Sequence, residues 1–321
     1  MIHEINFMGL LANVDSSILI LNEILPDGIE IRSFNRDDEC LEFFNELTGS
    51  SYQDTQLRLY QNSCWSPNNE TYYFYSSFSA DINQIQDRTD IDKGLNKFRN
   101  NSLAEIEHVI KMLRLYKEGN VQMPFRYYYK DTSGIMLLTG EHTCESIEAK
   151  PFVLNKDEFK DFKKFINNGK FFINTSVNLA FSNFEASYEV NHFNIKFLTL
   201  MNAMEILFHP AEAGELSYRI SRNFAVLMGT NIEESKKYYK DMKKFYSKRS
   251  DLVHRGYTKK RITIGDVNKL RKYVRDSIKV FLDLHETEIY EILTYHGFGE
   301  REAVFEEIKE KVKKDQQNQE E

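Results

Sequence analysis

An arginine and a histidine with four residues between them lie in the one strongly basic part of this chain. They are Arg249 and His254. The surrounding segment, Lys236 to Lys279, holds sixteen of the 42 Lys and Arg residues but only four acids, so its net charge is +12 in a protein of net charge −7. Such asymmetry indicates a surface that meets a polyanion. The leading hypothesis is therefore ribonuclease chemistry.

These residue types suit RNA cleavage without a metal. The imidazole of His254 could take the proton from a ribose 2′-hydroxyl or protonate the departing 5′-oxygen. Arg249 would stabilise the charge that develops on the phosphate. Ser250 lies four residues before His254 on the same helix face, where its hydroxyl could fix the imidazole tautomer. One histidine cannot easily make both proton transfers, so we expect a homodimer with two copies of the site.

The predicted phosphate contacts come from the basic residues around this pair. They supply affinity that does not depend on RNA sequence. We expect this role for Lys243, Lys244, Lys248, Arg255, Lys259 and Lys260.

Arg249 occupies an unusual position in its helix. Apolar residues at offsets 0, 4, 7 and 14 form a stripe (Tyr238, Met242, Phe245 and Leu252), and Arg249 stands at offset 11. A buried charge is costly unless it is paired. Two interpretations stay open: a buried salt bridge to a carboxylate such as Glu205, or a subunit interface with Arg249 at a wet pocket. His254 lies about 140° around the helix from Arg249.

Other chemistries find little support. Cys40, Cys64 and Cys144 are odd in number and lack zinc spacing, so we expect reduced thiols. The remaining histidines have no ligand spacing with carboxylates, and neither H-E-x-x-H nor G-x-S-x-G occurs. We expect no metal and no cofactor. The chain also has no apolar run of membrane-spanning length and no signal-peptide pattern, which predicts a cytoplasmic protein that does not enter a membrane.

The chain divides by pattern into an α+β part and a helical part. Residues 1–165 alternate short β-rich runs with turns, and from Asn155 onward the periodicity is helical. Tyrosine clusters at 72–75 and 127–129 favour strands with one face in a core, although such rings could also stack nucleobases. We predict strands at 5–14, 29–34, 56–60, 71–78, 123–129 and 135–139, and helices at 37–47, 101–117, 155–166, 177–188, 193–208, 215–228, 233–253, 265–285 and 300–314. Asn101 or Ser102 would cap the second of these helices, and Asn155 with Glu158 would form a capping box at the start of the third.

The Arg249–His254 motif resembles the R-x4-H signature of the HEPN superfamily, and residues 190–284 resemble its Apea-like branch. The matching pieces are FLTLMNAMEILF (197–208), ELSYRISR (215–222) and FYSKRSDLVH (245–254). The resemblance implies a helical bundle that dimerises and a composite, metal-independent endoribonuclease site formed by Arg249 and His254 of each subunit. It also implies a role in prokaryotic defence or as a toxin. Arg255 precedes Gly256 here, where the branch reads His-Gly directly.

We therefore expect three regions: an α+β domain (1–165) that binds a trigger or regulator, a HEPN-like helical domain (166–298), and a C-terminal helix with a polar tail (299–321). Glu205, Arg222 and Asp251 would support the site. The main rival function is a non-catalytic HEPN module that binds RNA or a protein, with Arg249 structural. A purely structural oligomerisation protein is a third interpretation, but it does not account for the basic segment.

Overall fold

The computed structural model describes residues 2–35, 70–81, 93–130, 136–142, 151–167, 175–190, 192–209, 215–256, 261–294 and 297–320. The chain forms two compact units, Met1–Asn168 and Gly169–Glu321. The predicted helix at 37–47, the predicted strand at 56–60, and Lys259 and Lys260 lie outside the described residues.

An antiparallel sheet forms the centre of the first unit, with strand order β2-β3-β1-β4-β5. Both tyrosine clusters lie in its strands, and the rings of Tyr72, Tyr127, Tyr128 and Tyr129 are buried. The interpretation of these clusters as core-facing strand residues is therefore confirmed, and the buried rings are not accessible for base stacking. The strands are β1 (Ile2–Ala12), β2 (Ile29–Asn35), β3 (Glu70–Asp81), β4 (Gln122–Lys130) and β5 (Met136–His142).

Helices complete the first unit. The Phe98 ring packs 5.0 Å from Phe7 and 4.5 Å from Phe78, which fastens helix α1 to the sheet. At the start of α3, Asn155 and Glu158 form the predicted capping box. The described helices are α1 (Lys93–Phe98), a π-helical turn (Arg99–Leu103), α2 (Ala104–Tyr116), α3 (Lys156–Ile166) and a 3-10 helix at Ser16–Glu23.

All of the regular secondary structure described in the second unit is helical, and its core is rich in aromatic rings. Phe245 of α7 meets Phe197 of α5 at 5.9 Å, and Phe224 of α6 meets Tyr273 of α8 at 5.0 Å. No described helix combines the length and apolarity needed to cross a membrane. The helices are α4 (Thr175–Glu189), α5 (Phe193–Phe208), α6 (Leu216–Met228), α7 (Ile232–Arg255), α8 (Ile264–Asp283), α9 (Glu286–Thr294) and α10 (Arg301–Glu320).

Candidate nucleic-acid site on helix α7

Helix α7 carries the Arg249–His254 motif at its C-terminal end. The Asn231 side chain caps its first turn by accepting a hydrogen bond from the Glu234 N–H. The helix stops at Gly256, whose φ of 72° is the left-handed conformation that glycine adopts easily. His254 and Arg255 therefore lie in the last turn, where the helix dipole favours positive charge.

Arg249 forms an ion pair with Glu205 of α5 within the single chain. Its Nε atom lies 2.9 Å from Oε1, and its Nη2 donates to Oε2 at 3.2 Å. The two side chains are only 22% and 19% exposed. The Nε–H is not aligned with Oε1, so this contact is ionic without being a hydrogen bond. Of the two interpretations left open by the sequence, the salt bridge is the one this structure forms.

The Glu205 carboxylate lies in a half-buried environment that disfavours its charge. Burial raises its pKa, and the neighbouring Arg249 guanidinium partly opposes that shift, so the pKa stays above its ordinary value. The ring of Tyr246 lies 5.9 Å from the guanidinium carbon and covers the pair from the same helix. Arg249 is thus held in a fixed place by groups of its own chain.

The apolar stripe of α7 is buried mainly against residues of the same chain. Met242 is 0% exposed and Phe245 is 4% exposed, and the Tyr238 ring packs against Phe224 and Tyr273. Leu252 is half-buried. The central residues of this stripe are therefore used by the core of the unit and are not available to a subunit interface, and the predicted homodimer stays a prediction.

His254 is exposed, and Ser250 is half-buried. Among the residues that the structure describes, neither side chain has a hydrogen-bond partner. The expected hydrogen bond between them is not formed, so Ser250 does not fix the imidazole tautomer here. Val253, beside His254, is an apolar side chain that is 50% exposed.

The predicted phosphate-binding residues divide into accessible and paired groups. Lys243 and Lys244 are exposed. Arg255 forms an ion pair with Asp251 one helical turn away, with 3.2 Å between Nη1 and Oδ1; the arginine is exposed and the aspartate is partly buried. Lys248 donates at 2.8 Å to Asp266, and both side chains are largely buried. Lys248 is therefore engaged in joining α7 to α8, which reduces its availability to a phosphate.

Asp266 also closes the first turn of α8. Its carboxylate accepts hydrogen bonds from the backbone N–H and the hydroxyl of Thr263, and the Thr263 hydroxyl oxygen accepts one from the Asp266 N–H. Burial acts to raise the pKa of Asp266, but the hydrogen bonds from Lys248 and Thr263 outweigh it, so the pKa is lowered.

Arg222 of α6 is buried inside the helical bundle. It is 2% exposed and donates to the Gly297 carbonyl at 2.7 Å and to the Ile292 carbonyl. These carbonyls lie in the last turn of α9 and just beyond it, where backbone acceptors lack helical partners. Arg222 thus supports the packing of the bundle, and these hydrogen bonds direct its guanidinium to α9 instead of to Arg249.

Three further lysines belong to the accessible positive surface and were not among the predicted phosphate contacts. Lys236, Lys237 and Lys240 are exposed like Lys243 and Lys244, and none of the five forms an ion pair among the described residues. Their signal was their spacing along the solvent face of α7. In the described part of the chain no group of three or more His, Cys, Asp and Glu residues is placed to hold a metal ion.

Comparison with protein-family models, curated proteins and solved structures finds no match to this chain.

Proposed function

We propose that this protein is a metal-independent endoribonuclease of HEPN type. The observation that carries the proposal is an exposed imidazole at the end of a lysine-rich helix, little more than one turn beyond an arginine held by a carboxylate. Accessible His254 can reach a substrate, and ordered Arg249 can bind a phosphate in a defined orientation. The resemblance to the HEPN superfamily supports the same assignment and suggests a prokaryotic defence or toxin role.

The proposed reaction uses the ribose 2′-hydroxyl as nucleophile. His254 takes its proton, the oxygen attacks the adjacent phosphorus, and the bond to the 5′-oxygen breaks to leave a 2′,3′-cyclic phosphate. Arg249 stabilises the negative charge on the phosphate in the transition state. An incoming phosphate competes with Glu205 for this guanidinium, so Glu205 both positions Arg249 and limits its availability.

A second proton-transfer group is needed for the departing 5′-oxygen. A two-fold homodimer would supply His254 of a second copy. This proposal rests on the count of proton-transfer groups and on the resemblance, since the apolar stripe of α7 is closed within the chain. The exposed Val253 beside His254 offers a small apolar contact at the site. The first unit would then bind a trigger or regulator.

A non-catalytic RNA-binding module is the second candidate. Two observations favour it: Arg249 is already neutralised by Glu205, and no side chain among the described residues orients the imidazole of His254. In that case the exposed lysines of α7 bind RNA, and the Arg249–Glu205 pair only joins α7 to α5.

The decisive experiment incubates purified protein with total RNA in EDTA. His254→Ala and Arg249→Ala should each lower the cleavage rate by ~10²-fold or more, the scale of a general acid–base contribution. His192→Ala is the matched control, because His192 is also exposed and its side chain does not cap the helix that it precedes. A 2′-deoxy nucleotide at the cut position should block cleavage.

Three outcomes would refute the nuclease proposal. The first is activity abolished by EDTA but kept by both alanine variants. The second is cleavage of the 2′-deoxy substrate with a 3′-hydroxyl product. The third is RNA binding without any cleavage, which would select the second candidate. For the dimer, mixing His254→Ala chains with wild type should lower activity more than dilution does, and an active monomer would refute that part.

A further inference from the structure

One face of α7 alternates aromatic rings with polar and cationic side chains up to its last turn. Tyr239, Lys243, Tyr246, Ser250 and His254 follow one another at spacings of four, three, four and four residues. At about 100° per residue these positions fall within roughly 80° of one another around the helix. The proposed catalytic imidazole is thus the last member of a line that begins about 22 Å away, at 1.5 Å per residue.

An accessible aromatic cluster lies where this line begins. The Tyr239 ring is 6.1 Å from that of Tyr218 and 5.8 Å from that of Phe298, both edge-to-face. Tyr218 is 42% exposed and Phe298 is 41% exposed. Large rings grouped at a surface are typical of a binding site, because a packed core would normally bury them.

Three lysines lie beside Tyr239 on helix α7. The Nζ atom of Lys243 lies 5.7 Å from the centre of the Tyr239 ring. Lys236 and Lys240 are neighbours of Tyr239 on the helix, and both are exposed without an ion pair among the described residues. Rings with adjacent unpaired ammonium groups are what single-stranded nucleic acid requires: π-faces for the bases and positive charges for the phosphates.

We propose that this face of α7 binds an unpaired RNA strand, with Tyr239 and Tyr246 stacking bases and the lysines contacting phosphates upstream or downstream of the cut. The two tyrosines are about 10 Å apart along the helix, so each meets a different base. A duplex keeps its bases stacked inside and cannot offer them to these rings. Around Tyr239 a second copy of the chain is a poorer occupant, since its lysines would meet these lysines; the proposed two-fold contact concerns only the His254 end of the helix. The inference rests on the proposed RNA substrate.

Binding is tested apart from cleavage by using the full chain with His254→Ala. Fluorescence anisotropy compares an oligoribonucleotide of about a dozen nucleotides, within the site sizes of single-strand binders, with its duplex. The single strand should bind at least about tenfold more tightly. Tyr239→Leu and Tyr246→Leu should each weaken its binding by about fivefold to tenfold or more, the scale of one lost base stack, and leave duplex binding unchanged.

Two matched controls accompany these variants. Tyr→Phe at each position keeps the ring and should keep the affinity. Tyr290→Leu removes a ring on α9 that is 62% exposed and outside the proposed track, and it should have no effect. A 2-aminopurine base in the single strand should lose fluorescence on binding to a chain with both tyrosines intact, which tests stacking even if a leucine variant folds poorly.

Equal affinity for single strand and duplex would overturn the inference. So would leucine variants that behave like Tyr290→Leu, absence of 2-aminopurine quenching, or a dimer that dissociates in the leucine variants, which would make the face a protein interface. A chain that shows the expected single-strand binding but cuts no RNA refutes the nuclease and leaves this track standing. Cleavage without single-strand preference refutes the track alone.

Discussion

Helices α7 and α8 are both rich in basic residues but use them in opposite ways. On α7, Lys236, Lys237, Lys240, Lys243 and Lys244 are exposed. On α8, Arg271 is 4% exposed and Arg275 is 3% exposed, and both pack against α4. The net charge of +12 over this segment therefore overstates the positive surface that a polyanion can reach.

The arginines of α8 are part of the core. Arg271 donates to the Ser187 carbonyl at 2.9 Å and to its hydroxyl at 3.2 Å, and its guanidinium lies 4.2 Å from the centre of the Tyr188 ring. Arg275 donates to the Tyr188 hydroxyl at 3.3 Å. A guanidinium is weakly hydrated and stacks on rings, whereas an ammonium keeps its water. The two arginines of α8 therefore belong to the core of the unit, whereas the clustered lysines of α7 form the accessible positive surface.

Arg271→Ala should cause the largest loss of stability and so tests whether the arginines of α8 are structural. The change removes hydrogen bonds from a charged donor, leaves the Ser187 carbonyl without this partner and opens space beside Tyr188. The free energy of unfolding should fall by about 2–4 kcal/mol, measured by urea denaturation.

Lys240→Ala on α7 is the matched control and should change the free energy of unfolding by no more than about 0.5 kcal/mol. RNA affinity per folded molecule should stay the same for Arg271→Ala. An unchanged stability together with weaker RNA binding would show that Arg271 belongs to the binding surface.

The sequence predicted the helices and strands better than it predicted which side chains pair with one another. The five described strands and the capping box at Asn155 followed from local patterns that a short window contains. Helix α9 was missed, because it directly follows α8 and its apolar pattern (Ile289, Ile292 and Leu293) spans little more than one helical turn. The π-helical turn at Arg99–Leu103 joins α1 to α2, so the helical stretch begins earlier than the predicted cap at Asn101 or Ser102.

In the candidate site, too, local residue spacing did not show which distant side chains come into contact. Periodicity revealed that Arg249 stands where a core residue is expected, but it could not choose between a salt bridge and an interface. That choice depends on where Glu205, 44 residues away in the chain, comes to lie. Local spacing likewise placed Ser250 and His254 on one helix face without determining whether their side chains bond.

A smaller effect is expected from Lys243→Gln with Lys244→Gln. For each phosphate that the protein no longer binds, the slope of log affinity against log salt should fall by about 0.7 for single-stranded RNA, because fewer counterions are released. Salt titration of RNA binding measures this slope. The control pair is Lys269→Gln with Lys272→Gln on α8, which removes the same charge from lysines already paired with Asp241 and Asp276.

The two pairs of variants should differ clearly in the slope of log affinity against log salt. If the α8 pair flattens the salt dependence as much as the α7 pair does, the binding surface extends over both helices. In that case the contrast between α7 and α8 would hold for their arginines only.

The smallest effect concerns the ion pair that joins the two helices, Lys248 to Asp266. Asp266→Asn weakens both this ion pair and the helix cap at Thr263, so the free energy of unfolding should fall by about 1 kcal/mol at neutral pH.

This stabilisation should depend on pH. The folded-state pKa of Asp266 is lowered, so the contribution of Asp266 to stability is present above the ordinary aspartate pKa and is lost as pH falls through the folded-state pKa. Urea denaturation should therefore show wild type and variant converging as pH falls below the ordinary aspartate pKa. Asp283→Asn, an exposed aspartate at the other end of α8, should show no such loss at neutral pH, since a negative charge there opposes the helix dipole. A constant difference between wild type and Asp266→Asn at every pH would mean that the ionised carboxylate is not what stabilises this junction.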